Sequence, residues 1–168
     1  MELIEELDYE FDFDQLKKDF LNFDYHDITR RFEGISLQHR NDILPPWNDV
    51  DGLESIGLYN CVEKDFNVIN KNFKNTEFEK IINNFNLIRS RILIMNKKSC
   101  YSIHHDYSWR LHMPIKTNSK CLFYFPDHEK HFNLEEGKVY KVNTTQKHTF
   151  LNSSFEERIH FIGCIDVL

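Results

Sequence analysis

From Ile88 onward the chain breaks into short runs, each of strand length and each closed by turn-forming residues. The pattern predicts strands at Ile88–Met95, Tyr101–Asp106, Trp109–Ile115, Cys121–Phe125, Lys138–Val142, His148–Leu151 and Arg158–Val167. Between them lie Asn96-Lys97-Lys98, Thr117-Asn118-Ser119, Pro126-Asp127, Glu136-Gly137 and Asn152-Ser153-Ser154, all turn-prone. Many short strands at this spacing can bury their apolar faces only as a sandwich or a closed barrel. The expected fold is therefore mainly β with flanking helices, and strands that return to one site favour a jelly roll.

Seven of the nine histidines fall between His104 and His160, inside this all-β half. Side chains alternate along a strand, so His104 and Asp106 share one face while His105 points to the other. One imidazole and one carboxylate can then meet a single ion, and His148, from a distant strand, is the candidate third ligand. Two histidines and a carboxylate occupy one face of an octahedral metal and leave the other open. A surface histidine beside an aspartate is the plainer alternative. His128 and His131, set among Asp127, Glu129 and Lys130, read as solvated turn residues.

Two further strands carry buried-charge candidates. In Trp109-Arg110-Leu111-His112-Met113-Pro114-Ile115, the alternation puts Leu111, Met113 and Ile115 on an apolar face and Arg110 and His112 on the other. An arginine lining a pocket needs an anion; on a solvent-facing edge strand it would simply pair with a surface carboxylate. In the last strand Arg158 and His160 share a face opposite Ile159, Phe161 and Ile165. Arg158 could pair with Glu156 or Glu157, or its planar fork could grip the carboxylate of a bound molecule.

The N-terminal half offers scaffold and rim. Asp12 can cap a helix over 13–23 with Phe13, Leu16, Phe20 and Phe23 on one face. Asn75 stands as N-cap of a second helix carrying Phe78, Ile81, Ile82 and Phe85. Ile35, Leu37 and His39 alternate with Ser36, Gln38 and Arg40 as in a strand, and residues 41–59, with Pro45-Pro46, Asp51-Gly52 and Gly57, form a long loop of the kind that rims a site. The organisation expected is one domain over 1–168, with N-terminal helices, early strand and rim loop in 1–88 and the jelly-roll core in 89–168.

A net charge of −6 with no concentrated basic face argues against general nucleic-acid binding. No segment is long and apolar enough to span a bilayer, and the acidic start, Met1-Glu2-Leu3-Ile4-Glu5-Glu6, lacks the order of a secretory signal, so the cytoplasm is the expected compartment. Four widely spaced cysteines form no C-x-x-C pair and read as reduced thiols. Oligomeric state leaves no mark in the sequence.

In order, the chain contains Arg89-Ser90-Arg91-Ile92-Leu93, His104-His105-Asp106, Arg110-Leu111-His112-Met113-Pro114, Leu134-Glu135-Glu136-Gly137-Lys138-Val139, Lys147-His148-Thr149, Glu157-Arg158-Ile159 and Ile165-Asp166-Val167. This order and spacing, over residues 89–167, resembles the aspartyl/asparaginyl β-hydroxylase family of Fe(II)- and 2-oxoglutarate-dependent dioxygenases, in its compact phage and bacterial form. The resemblance implies a double-stranded β-helix, the cupin-like jelly roll, with iron held by His104, Asp106 and His148, the far carboxylate of 2-oxoglutarate on Arg158, and its metal-proximal end near Arg110 and His112. It also implies O₂ as co-substrate and hydroxylation of an unactivated C–H bond in an amino acid, a peptide residue or a related small molecule. His39, Arg40, Trp47 and His160 are the expected substrate-facing residues. Two other functions compete: a jelly-roll module that binds metal and carboxylate without turnover, and a cupin-type metallo-isomerase or lyase whose metal set adds His112.

Overall fold

The computed structural model describes residues 2–23, 34–40 and 61–165. Its elements, in chain order, begin with β1 (Ile4–Leu7), α1 (Phe13–Leu21), β2 (Gly34–Ser36), β3 (Gln38–His39), β4 (Val68–Ile69) and α2 (Glu77–Asn84). Then come β5 (Leu87–Met95), β6 (Ser99–Cys100), β7 (Arg110–Lys116), β8 (Cys121–Phe125) and β9 (Lys130–Phe132), followed by β10 (Val139–Val142), β11 (Thr149–Asn152) and β12 (Arg158–Ile165). The chain forms two compact units, one built on residues 94–162 with the N-terminal strand β1, the other on residues 10–93 with the end of β12.

The first unit is the jelly roll. In one sheet β1, β10, β7 and β12 lie side by side, with Ile4 opposite Val142 and Tyr140 opposite His112; the other sheet runs β6, β11, β8, β9, with Phe150 opposite Phe123 and Phe123 opposite Phe132. All of these residue pairings are antiparallel. The inward residues of the two sheets meet in a core of Leu3, Met95, Phe123, Phe125, Leu134, Tyr140, Val142 and Phe150. Strict alternation along β8 explains it: Cys121, Phe123 and Phe125 are buried and Leu122 and Tyr124 are not fully so. Each fully buried phenylalanine stabilises the fold by about 2–3 kcal/mol, so Phe123 and Phe125, stacked with ring centroids 4.9 Å apart, anchor the interior.

The second unit carries the helices. Asp12 caps α1 by accepting a hydrogen bond from the Gln15 amide at 2.9 Å, and Leu16 and Phe20 are its buried face. In α2 the cap falls one residue later than the sequence predicts: Thr76 is the N-cap, while Asn75 takes a left-handed φ of 62° and donates its amide to Glu79. The two helices are tied by the Glu77 amide donating to the Asp19 carboxylate at 2.8 Å. The early strand is interrupted at Leu37, splitting into β2 and β3, and Gln38 bonds both ways to β5, to the Leu87 carbonyl at 2.8 Å and the Ser90 amide at 3.0 Å. Gly163 has no room for a side chain: a Cβ there would stand 2.8 Å from the Leu87 side chain and 2.9 Å from Ser90 Oγ. The rim loop expected at 41–59 lies outside the described residues.

Two strand predictions change. The run Tyr101–Asp106 is not a strand; regular pairing stops at Cys100, and beyond it only a bridge between His104 and His148 is formed. Conversely, β1 and β9 arise in segments the hydrophobic pattern did not mark, because the exposed Glu5, Glu6, Lys130 and His131 dilute the apolar signal.

Candidate metal centre

His104 and His148 face each other across the bridge, exchanging both backbone hydrogen bonds at 3.0 and 2.8 Å. Directly opposed residues of an antiparallel pair project to the same side, and the two imidazoles end with centroids 4.4 Å apart. Each ring is then oriented by its own backbone: His104 Nδ1 lies 2.8 Å from the Ser102 carbonyl and His148 Nδ1 lies 2.9 Å from the Gln146 carbonyl, two residues back in both cases. A carbonyl can only accept, so both Nδ1 atoms carry the proton and both Nε2 atoms present a lone pair.

Asp106 joins them through the loop. Its amide donates to the Thr144 carbonyl at 2.8 Å, and Thr144 Oγ1 donates to the Ser108 carbonyl at 2.6 Å, which fastens the 106–108 segment to the turn preceding His148. Its Oδ2 stands 3.8 Å from His148 Nε2. The ligand atoms of His104, Asp106 and His148 all fall within 4.8 Å of one another, a spacing a single ion can bridge. The adjacent His105 is exposed and is not in the cluster.

Arg110, buried at the start of β7, grips this carboxylate. Its Nη2 is 3.2 Å from Asp106 Oδ1 and its Nε donates to Oδ2 at 3.3 Å, while Nη1 donates to Ser108 Oγ at 3.1 Å. The sequence placed Arg110 at the proximal end of a bound carboxylate; the contacts in the fold put its fork on the protein's own Asp106. Outer-sphere partners of this kind fix the orientation of a metal ligand.

The second group of buried charge and imidazole is built on β12. Arg158 is only 2% exposed, and among the described residues no carboxylate pairs with it. Phe150 covers the guanidinium at 3.7 Å, Met95 Sδ lies 3.8 Å from Nη1, and His160 takes the Nε side. Burial pulls the Arg158 pKa down from its usual value to about 10. Between the two groups stands His112, whose ring packs against Phe123, Phe150 and His160 and whose buried Nδ1 has no hydrogen-bond partner. Burial, reinforced by the Arg158 charge, holds His112 and His160 neutral well below the usual histidine range; His148 is lowered chiefly by burial.

Of the residues expected to face a substrate, His160 is 1% exposed and bound to Arg158 rather than placed on a rim. His39 and Arg40 belong to the second unit, where His39 Nδ1 meets the Arg40 carbonyl at 2.6 Å and Arg40 donates to Cys61 Sγ at 3.0 Å and packs over Phe66. Trp47 lies outside the described residues. Sequence reasoning passed over Phe150, yet it sits two residues beyond His148, on the same face by strand alternation. It passed over the carbonyls of Ser102 and Gln146 as well, which no side-chain pattern signals.

The jelly roll brings two imidazoles and a carboxylate together, a donor set able to hold one metal ion. A family model described as aspartyl/asparaginyl β-hydroxylase matches residues 11–167, and the chain belongs to that family. Among curated proteins none matches the sequence. Among solved structures, the viral collagen prolyl hydroxylase of Paramecium bursaria Chlorella virus-1, in its 2OG complex, superposes with a TM-score of 0.55 at 10% identity, covering 97% of this chain and 94% of that one. A cupin domain from Bordetella pertussis has a TM-score of 0.42 at 16% identity over 47% of this chain and 81% of its own. A 2OG-Fe(II) oxygenase family protein from Burkholderia pseudomallei has a TM-score of 0.40 at 16% identity, covering 46% of this chain and 41% of that one. Among the described residues no helix is long and apolar enough to cross a membrane.

Proposed function

We propose that the protein is an Fe(II)- and 2-oxoglutarate-dependent dioxygenase that hydroxylates an unactivated C–H bond of an amino acid, a peptide residue or a related small molecule. The observation that carries this reading is a His-Asp-His cluster within 4.8 Å, linked through Phe123 and Phe150 to a buried arginine that has no carboxylate partner among the described residues. Membership of a hydroxylase family and the fold shared with a viral prolyl hydroxylase support it.

The donor set suits the metal. Two imidazoles whose Nδ1 atoms are turned to backbone carbonyls, leaving Nε2 for an ion, and one carboxylate are the ligands of a facial triad that leaves coordination positions for other molecules. The protein's remaining groups suit the co-substrate. An uncompensated buried guanidinium calls for an anion, and the orphaned Nδ1 of His112, between Arg158 and the triad, calls for a hydrogen-bond partner. A dicarboxylate lying from Arg158 past His112 to the triad answers both. When bound, iron with 2-oxoglutarate and O₂ supplies the oxidising power for hydroxylation, with succinate and CO₂ as co-products.

The chain's own part is positional. His104, Asp106 and His148 would hold the ion, and Arg110 keeps the Asp106 carboxylate turned toward it. Arg158 would fix the distal carboxylate, with Phe150 and Met95 excluding water from that end. His39, Arg40 and Trp47 stand as the proposed substrate contacts. The metal-isomerase alternative would need His112 as a fourth ligand, and the ligand-atom cluster does not include it.

Anaerobic titration of the protein with Fe(II) and 2-oxoglutarate tests the reading. A weak metal-to-ligand charge-transfer band in the visible is expected, and metal-replete protein that shows none with saturating 2-oxoglutarate would overturn it. Ligand-dependent stabilisation without succinate from any amino acid or peptide offered would instead identify a binding module.

A further inference from the structure

We infer that His160 is a positioning residue for Arg158: a neutral, buried imidazole that locks one edge of the guanidinium so that only its outer edge is offered to an anion. The inference rests on the dioxygenase reading and assigns His160 a role away from the substrate rim.

A guanidinium has two edges able to make paired contacts, the side edge formed by Nε and one Nη and the outer edge formed by both Nη atoms. In β12 the side edge faces His160. Arg158 Nε donates to His160 Nε2 at 3.0 Å; a neutral ring that accepts there carries its proton on Nδ1, so the 2.9 Å approach of Nη2 to Nδ1 is a close contact that blocks the edge and not a second hydrogen bond. The match arises from strand geometry, because residues two apart in β12 project to the same side. Phe150 lies over one face of the guanidinium at 3.7 Å. What is left is Nη1, beside Met95 Sδ, together with the second hydrogen of Nη2.

The charge state of His160 follows from its neighbours. It is 1% exposed, its closest polar contact is a cation, its ring lies 6.0 Å from that of His112, and Phe150 closes another side at 5.7 Å. An imidazolium there would add a second buried positive charge with only donors to offer Arg158. The neutral ring offers a nitrogen lone pair instead. It therefore satisfies a donor on the arginine without neutralising the charge, which a carboxylate at the same place would do. That distinction is the functional content: a glutamate or aspartate partner would hold Arg158 equally still and cancel its attraction for a dicarboxylate, whereas histidine fixes the fork and leaves the attraction in place.

Binding of 2-oxoglutarate to the full-length protein loaded with Mn(II), read by calorimetry alongside Mn(II) affinity, tests this. His160→Phe keeps the ring volume and removes the acceptor; it should weaken 2-oxoglutarate about tenfold or more, the scale of a hydrogen bond to a charged group, with Mn(II) affinity unchanged. His160→Gln restores an acceptor and should recover most of that loss, whereas His160→Glu should bind 2-oxoglutarate no better than His160→Phe, because it cancels the charge. Arg158→Ala is the reference: if it abolishes binding while His160→Phe binds like wild type, the positioning role is wrong and the dioxygenase reading stands. If Arg158→Ala itself binds normally, the co-substrate site has been misplaced. Should His160→Phe fail to fold, ¹⁵N-histidine spectra of the wild-type protein decide, since an imidazolium at neutral pH would overturn the proposal and a neutral ring with an unprotonated nitrogen toward Arg158 is expected.

Discussion

The candidate metal end and the proposed anion end of the site are built by opposite means. Two of the three candidate ligands sit on an irregular segment, beyond the point where β6 stops pairing, and are held there by backbone hydrogen bonds to the His148 strand and to Thr144. Arg158 and His160 sit at the start of a regular strand, and both are buried, with Arg158 walled by Phe150 and Met95. The lesson is that ligand convergence on a metal needs freedom of the backbone, whereas a buried charge needs rigidity and dryness. An ion tolerates a partly open site because its ligands bind it directly; an arginine attracts a carboxylate strongly only where water does not compete.

The comparison can be broken at either end. The largest effect belongs to Asp106→Ala, which removes the only carboxylate of the cluster and takes from Arg110 its fork partner; turnover should fall below detection and Mn(II) binding should weaken sharply in a titration followed by electron paramagnetic resonance. Next, Arg158→Ala should raise the 2-oxoglutarate concentration needed for half-maximal turnover by about ten- to a hundredfold, the scale of a charged hydrogen-bonded contact, with metal affinity unchanged. Loss of metal affinity in that variant would show that the two ends are not independent.

A smaller effect is expected from acid. Burial lowers the pKa values of His112 and His160 in the folded protein, while unfolding returns them to about 6.5. The unfolded state therefore takes up more protons as pH falls through and below 6.5, so the stabilisation present above that pH is progressively lost. Urea unfolding at pH 7.5 and pH 5.5 should show the lower midpoint at pH 5.5, and a His112→Phe, His160→Phe double variant should show a weaker dependence. The smallest effect is His105→Ala, an exposed position beside two ligands, which should leave both stability and turnover within about twofold. Equal losses from His105→Ala and Asp106→Ala would mean that the wrong histidine of the pair carries the metal.

How far the sequence was legible differs between the same two regions. On β7 and β12 both faces are buried, and on β12 the expected pairing of Arg158 with His160 shows in a direct contact between the two side chains. At His104 the same rule reached the observed partners by a different route. There is no strand from Tyr101 to Asp106; His104 faces His148 because the two form an isolated bridge, and Asp106 arrives through a loop fastened to Thr144. The pattern of side chains carries no information about such backbone anchors. In α2 the cap moved from Asn75 to Thr76 for a comparable reason, since two adjacent residues could each cap and the turn before the helix, with Asn75 left-handed, decided between them.

What the sequence by itself determined is the jelly roll, the family, and the cationic and candidate metal-ligating side chains, because strand period, turn chemistry and motif order are local properties written along the chain. What only the tertiary structure decided is which partner each of those side chains meets. Arg110 turned out to grip Asp106, Arg158 lost Glu156 and Glu157 as partners and gained His160, and both cluster histidines had their protons fixed by carbonyls two residues back. The physical reason is that charge pairing and hydrogen bonding act over about 3 Å in directions set by the assembled backbone, and neither distance nor direction exists until the strands have been brought together.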